Sequence, residues 1–195
     1  MGIEDNSLTI SNLLSSMVSF FQKIIDVLDE HNIPYMLSGS IAMGLYVVPR
    51  ATRDLDFVIH LDAKNIEGFV NSFRDGYYCE KDTILDALKG TSHRIFNIID
   101  HASGYKADFI VLKNDSFRQA EFNRRVQMDY FGKTIYVVSP EDLLISKIIW
   151  IQDLQSAQQK ADIQNLAAIE DMDWPYISKW ITQLQLNTFN LLSNI

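Results

Sequence analysis

The chain has 195 residues, 47% apolar and 22% charged, with a formal net charge of −8. That balance excludes disordered and fibrous classes, and the negative charge argues against a protein that coats nucleic acid indiscriminately. A single cysteine, Cys79, excludes an internal disulfide and a zinc cluster built on several thiolates, so a reducing cytoplasm is the expected setting.

No apolar run is long enough for a membrane span, and the first residues read as neither a secretion leader nor a myristoylation site, since Asn6 stands where a hydroxyl residue is wanted. Leu13, Leu14, Val18, Phe21, Ile24, Ile25 and Leu28 recur at helical spacing, predicting a helix over 8–30 that Asn32-Ile33-Pro34 stops. Residues 35–38 read as a short strand running into Gly39-Ser40, then a two-turn helix over 41–47 ended by Pro49. A strand over 54–61 follows. Helices are expected over 66–73 and 83–88, closed by Asp75-Gly76 and Gly90. Segments 95–100 and 107–112 read as adjacent strands joined by a turn at 101–104, and 134–138 as a last strand. Ser139-Pro140-Glu141-Asp142 combines a cap, a first-position proline and first-turn acids, a strong helix start. Two more helices begin near Ser156 and Asp173. The expected architecture is α+β: a core domain over 1–138 with a mixed sheet flanked by helices, and a C-terminal helical region over 139–195 packed on it.

The chemistry concentrates in the strand over 54–61. Side chains alternate across a strand, so Asp54 and Asp56 leave one face while Leu55, Phe57, Ile59 and Leu61 form the other. Two carboxylates whose Cα atoms are roughly 6.5–7 Å apart along a strand repel, and aspartate is a poor strand former, so the pattern points to a cation. Asp108 heads a later strand and joins them if the two strands are neighbours. Three such carboxylates can hold two Mg²⁺ ions for in-line phosphoryl transfer from an NTP to a hydroxyl, with Asp108 best placed to accept the hydroxyl proton. Gly39-Ser40 opens a short helix, where glycine admits a phosphate and the serine hydroxyl donates to it.

The ordered set Gly39-Ser40, Arg50-x-Thr52-x-Asp54-x-Asp56 and a later strand aspartate resembles the signature of the polymerase-β-like nucleotidyltransferase superfamily. It is similar to AbiEii-type toxin nucleotidyltransferases, and the likeness extends to Ser139–Lys147 and Asp162–Leu166. The resemblance implies a small mixed sheet with a helical C-terminal region. It also implies Mg²⁺-dependent transfer of a nucleoside monophosphate (EC 2.7.7 type) and an antitoxin protein as partner. Asp54, Asp56 and Asp108 become metal ligands, Lys147 and Asp162 line the active site, and Gly39, Ser40, Arg50 and Thr52 bind nucleotide. Relatives usually place a basic-acidic pair directly before the helix aspartate, whereas Lys160-Ala161-Asp162 is interrupted. Periodicity supports the last position independently, because Asp162, Leu166 and Ile169 share one helix face. Lys147 either contacts triphosphate, pairs with Asp162, or snorkels at the helix edge.

The expected acceptor is a hydroxyl of RNA, such as a tRNA end, or of protein. The alternatives are a small-molecule antibiotic and a non-catalytic nucleotide-binding or interaction module. A long basic cleft favours RNA; a short acidic pocket favours a cationic drug. Arg118, Arg124 and Arg125, interleaved with Phe117, Phe122, Tyr130 and Phe131, could grip phosphates and stack bases. The blander expectation, ordinary anchors on a loop or helix edge, outweighs that. The four histidines lack metal-ligand spacing, Cys79 has no paired base, and Trp150, Trp174 and Trp180 are expected to close the helical region on the core.

Overall fold

The computed structural model describes residues 3–90 and 94–192, with side chains from Ser15 onward; Leu13, Leu14 and His93 therefore lie outside the described side chains. In chain order the elements are α1 (Ile3–Glu30), β1 (Tyr35–Ser38), α2 (Gly39–Met43), β2 (Asp54–Ile59), α3 (Ile66–Ser72), β3 (Tyr77–Tyr78) and α4 (Lys81–Lys89). Then come β4 (Ile95–Asp100), β5 (Lys106–Val111), α5 (Ser116–Asn123), β6 (Val126–Tyr130), β7 (Lys133–Val137), α6 (Pro140–Trp150), α7 (Ala157–Ala167) and α8 (Trp174–Gln183).

The strands form one mixed sheet in the order β3-β4-β5-β2-β1-β7-β6. β2 runs antiparallel to β1 but parallel to β5, and β5 is antiparallel to β4. Strict alternation decides which face each side chain takes. Leu55, Phe57 and Ile59 of β2 and their neighbours Ala107, Phe109 and Val111 of β5 are buried on the face covered by α1 and α3. There Phe57 stacks on Phe109 at 5.5 Å, with Phe21 of α1 6.3 Å from Phe57 and Phe69 of α3 5.7 Å from Phe109. The opposite face carries Asp56, Asp108, Val58 and Ile110.

Helix starts follow their caps. The Ser139 hydroxyl accepts from the Asp142 amide at 3.2 Å, Ser156 and Gln159 form a reciprocal capping box, and Asp173 accepts from the Tyr176 amide at 3.0 Å. The helical region is tied to the core by Asp142, which is fully buried. Its carboxylate accepts from Ser139 Oγ at 2.8 Å, Tyr176 Oη at 2.6 Å and Arg124 Nε at 3.0 Å. A buried charge so fully bonded stabilises the fold, whereas one left unpaired would cost several kcal/mol.

Several elements differ from expectation. The helix after Gly39-Ser40 is a single turn, and the chain continues as tight turns bonded back to Met43 before Pro49. The stretch 116–130 forms α5 and β6. β6 joins β7 through Phe131-Gly132, both with positive φ (48° and 74°), the mirror-image turn that matches strand twist. A phenylalanine in that turn is an unusual choice, which hid the hairpin in the sequence. β3 has only two residues, too few for any periodicity. The tryptophan expectation fails for Trp150, which is 58% exposed, while Trp180 is buried against Phe117 at 5.2 Å.

Candidate active site

Strand register assembles the site. Asp56 of β2 lies directly beside Asp108 of β5 on one side and Ser38 of β1 on the other. Asn97 of β4 stands across from Asp108, and Lys106 lies beside Asp54. The two aspartates separated by 52 positions in sequence are thus adjacent because β5 is the parallel neighbour of β2. Burial, together with the like charges of Asp108 and Asp54, raises the Asp56 carboxyl from its ordinary value to about 6. Gly39 follows β1 with φ 63°, and a β-carbon there would overlap the Asp56 carboxylate. Glycine at 39 is therefore fixed both by its backbone conformation and by the approach of Asp56.

Lys106 had no part in the sequence reading. Its ammonium donates to Asp108 Oδ2 at 2.9 Å and stands 3.8 Å from Asp54 Oδ1. The amide of Asn97 donates to the other oxygen of Asp108. The available signal was Lys106-Ala107-Asp108, two residues apart and so on one strand face. The expected convergence of Asp54, Asp56 and Asp108 into a ready metal cage is not how the side chains stand: among the described residues no three His, Cys, Asp or Glu side chains gather as one. Asp54, half exposed at the strand's first position, turns toward Lys106 instead. The donor chemistry nonetheless fits a hard divalent cation, since three carboxylates share one sheet end and a cationic group already rests against two of them.

Asp162 of α7 is only 1% exposed, and its partners come from the loop before β2, from α6 and from α7 itself. Arg50 donates to it from Nε and Nη2, both at 3.2 Å, Lys147 of α6 at 2.8 Å, and Gln158 at 3.1 Å. Burial pushes this carboxyl up, but the hydrogen bonds from Arg50 and Lys147 outweigh it, and the group lies below the ordinary carboxylate range. Arg50 Nη2 also donates to Ser40 Oγ at 2.5 Å. Of the alternatives for Lys147, pairing with Asp162 is the one adopted. Thr52 sits apart from this network, its hydroxyl accepting from the Asp54 amide at 3.4 Å, and so shapes the start of β2.

A cavity of about 280 Å³ joins these groups, lined by Gly39, Ser40, Arg50, Asp56, Lys147 and Asp162 among others. A second cavity of about 420 Å³ adjoins it, sharing Ser38, Ile110, Ser146 and Trp150. Its walls are mainly apolar (Val58, Ile95, Ile149), and Arg94, Lys113 and Arg118 supply cationic groups. Glu121, buried within this lining, is already matched: Arg118 donates to it at 2.8 Å and Ser146 Oγ at 2.5 Å. Arg124 is spent on Asp142 and stacks 3.9 Å from the Tyr176 ring; Arg125 lies over Phe122 and Tyr136. The arginine-aromatic stretch is thus structural anchoring. Cys79, its thiol pushed up to about 12 by burial, and the exposed His60 stay outside the site.

Residues 14–194 match the family described as nucleotidyltransferase of unknown function (DUF6036), and the chain belongs to that family. Among solved structures, the fold is similar to the antibiotic-resistance factor ANT(2'')-Ia, with a TM-score of 0.57 and 13% identity over 88% of this chain and 96% of that one. It is similar to the lincosamide antibiotic adenylyltransferase LnuA bound to lincomycin, with a TM-score of 0.51 and 17% identity over 78% and 96%. A third likeness is to an antigenic nucleotidyltransferase-like protein from Paracoccidioides brasiliensis, with a TM-score of 0.51 and 19% identity over 88% and 86%. At such identities the shared property is the fold. No curated protein matches the chain by sequence. The expected class holds: this is a nucleotidyltransferase of the polymerase-β-like fold. None of these matches singles out the AbiEii type.

Proposed function

We propose that this chain transfers a nucleoside monophosphate from an NTP, with Mg²⁺, to a hydroxyl of an RNA end such as tRNA, or of a protein. The observation that carries this reading is the register pair Asp56–Asp108, set beside the cavity that holds Ser40, Arg50, Lys147 and Asp162. Asp54, Asp56 and Asp108 would hold the divalent cation, which when bound neutralises charge on the triphosphate and on the departing pyrophosphate. Asp108, oriented by Asn97, accepts the acceptor's proton as its oxygen bonds to the α-phosphorus and the bond to pyrophosphate breaks. Ser40 and Gly39 border the phosphates, with Arg50 fixing the serine hydroxyl. Lys147 and Asp162 form the opposite wall. In this reading residues 1–138 carry the transfer groups and residues 139–195 close the cleft over them.

With Glu121 matched by Arg118, the described lining of the adjoining cavity keeps Arg94 and Lys113 against Asp153, a balance that favours an acceptor rich in oxygen or negative charge. Trp150 offers a planar surface for a ring at the junction of the two cavities. A toxin role, with an antitoxin protein as partner and a cytoplasmic setting, goes with this acceptor class. Among the described residues no helix is long and apolar enough to cross a membrane. The second reading, modification of a small-molecule antibiotic, is favoured by the modest size of both cavities and by the adenylylated tobramycin and the lincomycin bound by the similar structures.

The deciding experiment incubates the protein with each α-labelled NTP, Mg²⁺, and in turn total RNA, protein extract, tobramycin or lincomycin. Label in RNA or protein supports the first reading, and label in a drug the second. NTP binding without transfer to any acceptor would instead point to a non-catalytic binding module.

A further inference from the structure

Three carboxylates share one sheet end, yet the cationic side chains around them are not equally free. Lys147 and Arg50 are committed to Asp162, which is buried and bonded to both. Lys147 still acts on Asp56 through its charge, but among the described residues it is Lys106 that pairs with Asp54 and Asp108, placed by register beside the first and by alternation beside the second. Its ammonium rests on Asp108 Oδ2 at 2.9 Å, while Asn97 donates to Oδ1, so both oxygens of Asp108 already accept a donor. Each oxygen keeps a further lone pair, but a divalent cation bound there at roughly 2.0–2.4 Å would stand within a few ångströms of the Lys106 ammonium. The two cations also repel, strongly so in a site that is partly shielded from water.

We propose that Lys106 is the site's internal counter-ion: its ammonium bridges Asp108 and Asp54, and a divalent cation binds only by displacing it. The inference rests on the nucleotidyl-transfer reading, since it assumes that these carboxylates take a metal. Lys106 is on this account a positioning residue. It holds Asp108 and Asp54 near each other against their mutual repulsion and sets how tightly the cation binds.

The test is Mn²⁺ binding to the full chain by calorimetry and by electron paramagnetic resonance, without nucleotide. Lys106→Met and Lys106→Gln remove the charge at similar length; Lys106→Arg keeps it. Both neutral variants are expected to bind Mn²⁺ on the order of tenfold more tightly than the unmodified chain, and Lys106→Arg to bind much as that chain does. Acetic anhydride labelling read by mass spectrometry gives a second readout, in which saturating Mn²⁺ raises the labelling of Lys106 as its ammonium is released. Mn²⁺ affinity unchanged or weaker in both neutral variants, with Lys106 labelling insensitive to the ion, overturns the counter-ion role and leaves the transfer reading standing. An Asp56→Asn chain that binds Mn²⁺ no differently from the unmodified one would instead sink the metal assignment itself, and this inference with it.

Discussion

Two carboxylates, Asp56 and Asp162, line the same cavity and are treated in opposite ways by the fold. Asp162 is buried but surrounded by Arg50, Lys147 and Gln158, and its charged form is favoured. Asp56 is half-buried among acids, and its charged form is disfavoured. Two other buried acids are also hydrogen-bonded, Asp142 of α6 by Arg124, Tyr176 and Ser139, and Glu121 of α5 by Arg118 and Ser146, although burial still raises the Glu121 carboxyl. Matched acids hold the molecule together. An acid kept in like-charged company costs stability, and under the proposed transfer it is retained for the cation it would bind.

Substitutions on either side of this contrast should separate the two roles. The largest effect is expected for Asp56→Asn or Asp108→Asn, which should lower nucleotidyl transfer roughly a thousandfold, about 4 kcal/mol of barrier, in the labelled-NTP assay. If transfer survives either change, the strand carboxylates are not its centre. Asp162→Asn should instead lower the stability measured by urea unfolding by about 3 kcal/mol, because Arg50 and Lys147 lose the charge that matches them. An unchanged unfolding midpoint would erase the contrast.

Asp56→Asn should raise stability near neutral pH by about 2 kcal/mol, and the sign follows from proton linkage. With its folded value at about 6 against an ordinary 3.8, the carboxyl binds more protons folded than unfolded between those values. Its contribution is therefore fully favourable below about pH 4, and the advantage is lost as pH rises through about 6. The difference in melting temperature between variant and parent should grow over that window and vanish below it; a flat difference would mean that Asp56 is not strained. The smallest effect is expected at Trp150. Trp150→Ala should raise the acceptor KM several-fold, about 1 kcal/mol, with kcat and stability nearly unmoved, because the side chain is mostly in water.

Much of this site was legible before the fold. Alternation placed Asp54 and Asp56 on one face of β2, the Gly39-Ser40 turn led into a helix, and Asp162 fell on the inward stripe of α7 with Leu166. Arg118, Arg124 and Arg125 were harder, because a basic-aromatic cluster has the same composition whether its charges face water or buried acids. Lys106 escaped notice for a related reason: its meaning depends on Asp54, which lies beside it only across a strand pair.

Local chemistry therefore determined the helices with strong caps, most of the strands, the apolar and acidic faces of β2, and the candidate carboxylates one by one. Those features depend on side-chain period and on backbone groups a few residues apart, which a sequence states directly. Tertiary pairing decided which acids are matched, which stand against their like, and where Lys106, Arg50 and Trp150 point. Those outcomes follow from strand order and register, set by burial of the whole apolar face of the sheet, and no local window contains them.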